Sequence, residues 1–309
     1  MASGEERGRH GGVFKLVVAL LVTVLLGELV LRSLERRLSG NLSHVAEMPE
    51  IIGDTGNAEQ SAVLLLGNSL TNNGMDVAWL QSKAPDLRFG KVTPDATGLW
   101  DWQCILRNQV LGKDVPAMRV VVIGFAWHLL SDRAAADPSR QGALFCRYDD
   151  LRSPSSIGLS GSAAIGEFMV ARALHLYALR DTVRNQLFVK TIPYYRKLVS
   201  DGNEARAGDS PAPVTSQTYP YSVLAGLAAN LASKGIRLVV VAMPVQAPYE
   251  IDPALGDMAA RGVVHLLDYR SLPGIQKSSF LDSMHLNPDG SEVLSQQLAQ
   301  DLAALGIAR

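Results

Sequence analysis

A serine separated by two residues from a run of five aliphatic residues opens the chemistry of this chain. In "SAVLLLGNSLTNNGMD" (61–76) the apolar run stops at Gly67, and Ser69 follows just before a helix-like segment. Gly67 allows a tight turn, and a helix start offers backbone N–H groups to an anion. A serine alcohol is a weak nucleophile near neutral pH. It needs a base within hydrogen-bond reach, and that base needs an orienting partner. Near the other end, "SSFLDSMHLNPDGSEVLSQQL" (278–298) offers both, because Asp282 and His285 stand three apart and one turn can face them to the same side. The carboxylate then accepts a bond from one imidazole nitrogen while the other points outward. Singly, each residue has an ordinary reading as a helix cap, a surface turn or a loop histidine. Asn287 already has such a role, as an N-cap with Pro288 at the first helical position and Asp289 in the first turn.

Elements that must hold these residues can be read from hydropathy. Apolar runs suited to buried strands lie at 62–67, 87–93, 118–124, 236–243 and 263–268. Helix-like stretches fall near 74–84, 99–112, 220–234 and 252–262, and a last helix covers about 288–305. Continuous aliphatic strands alternating with helices predict an α/β fold, a parallel sheet covered on both faces. In such sheets ligands bind beyond the carboxyl ends of the strands, which is where Ser69 falls. A long insertion, roughly 127–216, separates the third and fourth strands. Its 158–190 part reads as helical, and "SDGNEARAGDSPAPVTSQ" (200–217) reads as an exposed loop.

Ahead of this body, "VFKLVVALLVTVLLGELVL" runs from Val13 to Leu31, interrupted only by Lys15 and Glu28. At helical rise it reaches about 28 Å, enough for a bilayer's hydrocarbon core. Lys15 and Glu28 lie near its ends, where they can snorkel to the headgroups. No small-x-small cleavage site follows, and "LRSLERRLSG" continues as a charged helix, so residues 1–37 are expected to form a tail and an uncleaved anchor. Residues 38–60, polar with Gly, Pro and Asn, read as a tether to a body at 61–309. Arg7, Arg9 and Lys15 precede the span and Arg32, Arg36 and Arg37 follow it, so charge alone leaves orientation open.

Composition excludes several classes. Lys and Arg number 29 against 30 Asp and Glu, so no basic surface favours nucleic acid. Two cysteines, Cys104 and Cys146, cannot make a disulfide framework, and no Cys/His spacing suits zinc. They read as partly buried thiols, with pairing open to them in an oxidising compartment. Nothing near Cys104 in sequence supports a thiol chemistry. No metal and no cofactor is expected.

"GNSL" after the first strand together with "DSMHLNPDG" before the last helix resembles the SGNH (GDSL-type) hydrolase superfamily, over roughly residues 61–305. With its anchor, the chain is similar to the membrane-bound branch that holds the D-alanine transfer protein of teichoic acids and the alginate O-acetylation proteins. "VVVAMPVQAPYE" (239–250) also looks like the strand and loop placed before the catalytic pair there. The resemblance implies a flavodoxin-like sandwich, Ser69 as nucleophile, His285 as base and Asp282 as its partner. It implies an oxyanion hole from the Ser69 backbone and from Gly98 in "TPDATGLWDW". The third family block departs: Gly124 is in place, but Ala126 and Trp127 stand where Asn and Asp are usual, leaving Trp127 or His128 as substitute donors. Losing one such donor typically costs about 10²–10³ in rate. An esterase or O-acyltransferase on acylated envelope glycan or polysaccharide is expected, with the body outside the cytoplasm and in contact with polysaccharide machinery. A degenerate fold that only binds glycan or assembles such a complex is the alternative.

Overall fold

A computed structural model of the chain describes residues 3–195 and 219–307, and the 200–217 loop read from the sequence lies outside them. Five strands form one sheet: β1 (Ser61–Leu66), β2 (Leu87–Val92), β3 (Met118–Phe125), β4 (Arg237–Ala242) and β5 (His265–Asp268). Their order is β2-β1-β3-β4-β5, and every neighbouring pair is parallel. Val63–Leu66 and Val120–Ile123 are fully or almost fully buried, which is what continuous aliphatic runs with helices on both faces require. The strand order reverses between β1 and β3. Loops leaving those two strands therefore flank the crevice in which such sheets bind ligands.

The helices used below are α1 (Ser3–Leu38), α2 (Gly40–Gly56), α3 (Ser69–Gly74), α4 (Val77–Lys83), α5 (Leu99–Leu106), α6 (Gly161–Ala173), α7 (His175–Ala178), α8 (Arg180–Thr191), α9 (Ser222–Ser233), α10 (Pro253–Ala260) and α11 (Pro288–Ala304). Within α1, the stretch Gly12–Leu38 is long and apolar enough to cross a membrane. Two expectations about this end of the chain are corrected. Glu28 does not snorkel: it is buried, and its carboxylate accepts the His175 and Leu176 amides and the Arg32 guanidinium. Nor do residues 38–60 form a tether. Ser39 caps α2 by accepting from the Leu42 amide, and Leu42, Val45, Met48 and Ile52 form a buried stripe along that helix. The fit to the sheet is close, since a Cβ placed on Gly90 of β2 would lie 2.1 Å from Thr55 Oγ1.

Cys104 of α5 and Cys146 of the insertion are bonded as a disulfide, which corrects the reading as thiols. Neither the separation nor the surroundings of the two in sequence announce this, because pairing is decided by how the insertion folds back. The bridge closes a loop with a sequence separation of 42. Loop-closure entropy of that length corresponds to about 4 kcal/mol of stabilisation through the denatured state. Around it the insertion is seated firmly on α5. Trp100 Nε1 donates to Ala134 O at 2.8 Å, and a Cβ on Gly158, whose φ is +76°, would strike the Trp100 ring.

Candidate active site

Three side chains from opposite ends of the sequence meet at the carboxyl edge of the sheet. Ser69 Oγ lies 2.8 Å from His285 Nε2, and His285 Nδ1 lies 2.8 Å from Asp282 Oδ2. The second carboxylate oxygen, Oδ1, accepts the backbone N–H groups of Met284 and His285, each at 2.8 Å. A carboxylate so held receives the Nδ1–H, which leaves Nε2 with a lone pair to accept the serine proton.

Each member is positioned by local structure that the sequence dictates. Ser69 is the first residue of α3. Asn68 ahead of it is buried, accepts the Leu70 amide as N-cap and donates to Thr97 O at 3.1 Å. Helix α3 can lie against the ends of β1 and β3 only because both carry glycine there. A Cβ on Gly67 would come within 1.9 Å of Thr71 Oγ1, and one on Gly124 within 2.2 Å. The Asp282–His285 turn is braced from the loop after β4: the Gln246 amide donates to Ser283 O, and its side chain to Asp282 O. Asn287 caps α11 by accepting the Gly290 amide at 3.0 Å, with Pro288 following. Asn68 and Gln246 are the positioning residues that the sequence left unassigned. The cap position of Asn68, immediately before the serine, was a usable signal, whereas nothing local marked Gln246.

The loop between β2 and α5 forms the opposite wall. His44 Nε2 of α2 accepts the Thr93 amide and Asn41 Oδ1 accepts that of Asp95, so the misread tether in fact shapes the site. Burial lowers the His44 pKa, in keeping with a neutral ring that accepts. Thr97 Oγ1 donates to Gly67 O, just after β1, or to Pro94 O within this loop.

Gly98 is not the free oxyanion donor expected. Its N–H is buried and donates to Asp101 Oδ2 at 3.1 Å, and the same oxygen accepts from Arg140 at 2.8 Å. Gly-x-x-Asp at the start of α5 is a capping arrangement, in which the third helical residue reaches back to the cap amide. Burial pushes the Asp101 carboxyl up, opposed by the Arg140 charge and by the Gly98 amide. The Ser69 N–H, by contrast, has no acceptor among the described residues. The side chains of the two candidate substitute donors are both held in aromatic packing. Trp127 packs on Tyr249 with ring centroids 5.8 Å apart, at a φ of +51°, and His128 stacks on Tyr219 at 5.9 Å. No hydrogen bond joins either side chain to Ser69, His285 or Asp282 among the described residues.

A cavity of about 490 Å³ is lined by Thr97, Gly98, His128, Leu129, Arg140 and the chain at 134–138, and by none of Ser69, Asp282 and His285. The Thr97 carbonyl accepts from Asn68, the residue just before Ser69. One wall is thus the start of the insertion. Among the described residues, metal-ligating side chains cluster at Cys104, Cys146 and Asp150. The sulfurs there are spent on each other, and Asp150 is held by Arg107 and Asn108.

Electrostatics at the relay decide its pH behaviour. Burial alone would raise the Asp282 carboxyl, but bonds from the His285 ring and from the Met284 and His285 amides outweigh it and hold the pKa below its usual value. Asp282 thus stays ionised to lower pH than an ordinary carboxylate. Protonating His285 would remove the lone pair that faces Ser69 Oγ, so an activity carried by this relay should fall as pH falls. The acid limb of log kcat/KM should have a slope of one proton; a slope of two would show Asp282 titrating as well.

No protein-family model matches the chain, and no curated protein matches it. Among solved structures it is similar to the Bacillus subtilis protein YXIM, at 10% identity and a TM-score of 0.41, with 81% of this chain and 58% of that one covered. The chain therefore spans less than two thirds of that protein's length. It is also similar to a Bacteroides fragilis protein described as a "putative acylhydrolase", at 11% identity and a TM-score of 0.38, covering 86% of this chain and 95% of that one.

Proposed function

We propose that this chain is a membrane-anchored serine acyl-transfer enzyme, an esterase or O-acyltransferase that acts on O-acyl groups of envelope glycan through an ester on Ser69. The observation that carries this reading is the unbroken relay from Ser69 Oγ through the His285 ring to Asp282, each step 2.8 Å. Ser69 Oγ attacks the ester carbonyl as its proton passes to His285 Nε2. Asp282 stabilises the imidazolium, and the Ser69 N–H faces the developing oxyanion. The tetrahedral intermediate collapses with the C–O bond breaking, and the imidazolium returns its proton to the leaving alcohol. Water or a sugar hydroxyl, deprotonated by the same nitrogen, then attacks the acyl-serine; water makes the enzyme an esterase and a sugar an acyltransferase. The cavity beside Thr97 is large enough for a sugar-sized group.

Two features support an envelope substrate. The apolar part of α1 keeps the body at a membrane, and the Cys104–Cys146 bridge fits an oxidising compartment outside the cytoplasm. A reporter active only outside the cytoplasm, fused to the C-terminus, should be active; a silent one reverses the orientation. The commitment of the Gly98 amide to Asp101 favours a second reading, a degenerate fold that binds glycan without turnover. A fluorophosphonate separates the two. It should label Ser69 in the full chain, whereas a binding subunit would remain unlabelled.

A further inference from the structure

Helix α1 is not free all round. Its apolar side chains, among them Leu16, Leu20, Leu25, Leu29 and Val30, are exposed, yet the face bearing Gly27, Glu28 and Leu31 is covered by the corner between α6 and α7. Glu28 accepts the His175 and Leu176 amides at 2.8 and 2.9 Å, and Glu35 meets His175 Nδ1 at 3.0 Å. Leu31 clusters with Leu179 and Val183. Lower down, a Cβ on Gly27 would lie 3.6 Å from Leu176 Cδ2. Gly27 stands four residues inside the end of the apolar run at Leu31, which at helical rise is about 6 Å. If Val13–Leu31 lies in hydrocarbon, the α6–α7 corner must lie there too.

The composition of that corner suits such a place. Met169, Val170, Leu176 and Tyr177 are large apolar side chains left exposed together, at 50%, 43%, 37% and 36%. A basic group borders them, the Arg180 guanidinium lying 4.3 Å from the Tyr177 ring centroid, while Arg172 turns to Tyr148 and Gly142 and Arg184 pairs with Asp181. Aromatic and apolar side chains rimmed by arginine match the step from acyl chains to phosphate headgroups. We propose that the α6–α7 corner is a second membrane contact, seated in a phospholipid bilayer with Met169, Val170, Leu176 and Tyr177 among the acyl chains. The body is then clamped to the membrane surface, because α2 follows α1 after Ser39 alone and packs on the sheet.

This rests on α1 spanning the bilayer, and the test separates the two claims. Bimane is attached to single cysteines in the full chain, at Met169→Cys, Val170→Cys, Leu20→Cys in the span, and Asp257→Cys on α10 beside β5. Each is reconstituted in nanodiscs of phosphatidylcholine and phosphatidylglycerol with brominated acyl chains. The expected result is quenching at 169 and 170 of at least half that at 20, with none at 257. Quenching at 20 with 169 and 170 as bright as 257 overturns the second contact and leaves the span intact. Labels at 169 and 170 shielded from aqueous iodide, yet unquenched by bromolipid, overturn it in favour of a protein partner. A bright label at 20 overturns the span, and the second contact with it.

Discussion

Ser69→Ala should lower acyl-ester turnover by a factor on the order of 10⁴–10⁶, the range found when the nucleophile of a serine relay is removed. The methyl group cannot form the ester, and His285 is left with no proton to accept. What remains is the binding contribution of the cavity and one free backbone donor, the Ser69 position's own N–H, which alanine retains. Folding should be unaffected. The α3 start is capped by Asn68 and the packing against the sheet is made by Thr71, and neither interaction uses Ser69 Oγ. Turnover of a chromogenic acetyl ester by detergent-purified full chain, with the thermal midpoint as control, reads both. A loss of less than about tenfold at an unchanged midpoint would remove Ser69 from the chemistry.

Asp282→Asn is the second large effect, and its size follows from the bonding of the two carboxylate oxygens. Oδ1 accepts two backbone amides, so the carboxamide oxygen is required there. The amide nitrogen then falls opposite His285 Nδ1, where a donor already faces outward. To avoid two donors meeting, the ring must move its proton to Nε2, and it can no longer accept from Ser69. In a fully buried relay this change costs roughly 10⁴ in kcat. Asp282 is 49% exposed at its side chain, so water screens its charge and a loss of about 10²–10⁴ is expected. Steady-state kinetics at a pH above the acid limb measure it. A variant within threefold of the parent would mean that His285 needs no orienting carboxylate.

Why some of this was legible in the sequence and some was not is a matter of how far each signal reaches. Strands β1, β3 and β4 are legible because a strand buried on both faces must be aliphatic without interruption, as 62–66, 120–123 and 238–242 are. Ser69 and the Asp282–His285 pair are legible because their chemistry constrains types and local spacing. Helix α2 was hidden because Gly40, Asn41, Pro49, Gly53 and Gly56 give it the composition of a linker, although Leu42, Val45, Met48 and Ile52 follow a helical period. The Gly98 amide was misread for a different reason. A glycine's conformation can be guessed from its neighbours, but whether its N–H is free depends on Asp101, and that acid three residues on was an available sign. Glu28 and the cysteine pair lay beyond local reading. Their partners, His175, Leu176 and one another, become neighbours only when the insertion folds back on α5 and α1.

Catalysis here stands or falls on a covalent bond between an acyl group and one alcohol oxygen. Intact-mass spectrometry of full-length chain, acid-quenched during turnover of an acetyl ester, should show a fraction heavier by a single acetyl group. Peptide mapping should place it on Ser69, and Ser69→Ala should carry none. Turnover without any adduct on that residue, or with the acyl group mapped elsewhere, would contradict the mechanism.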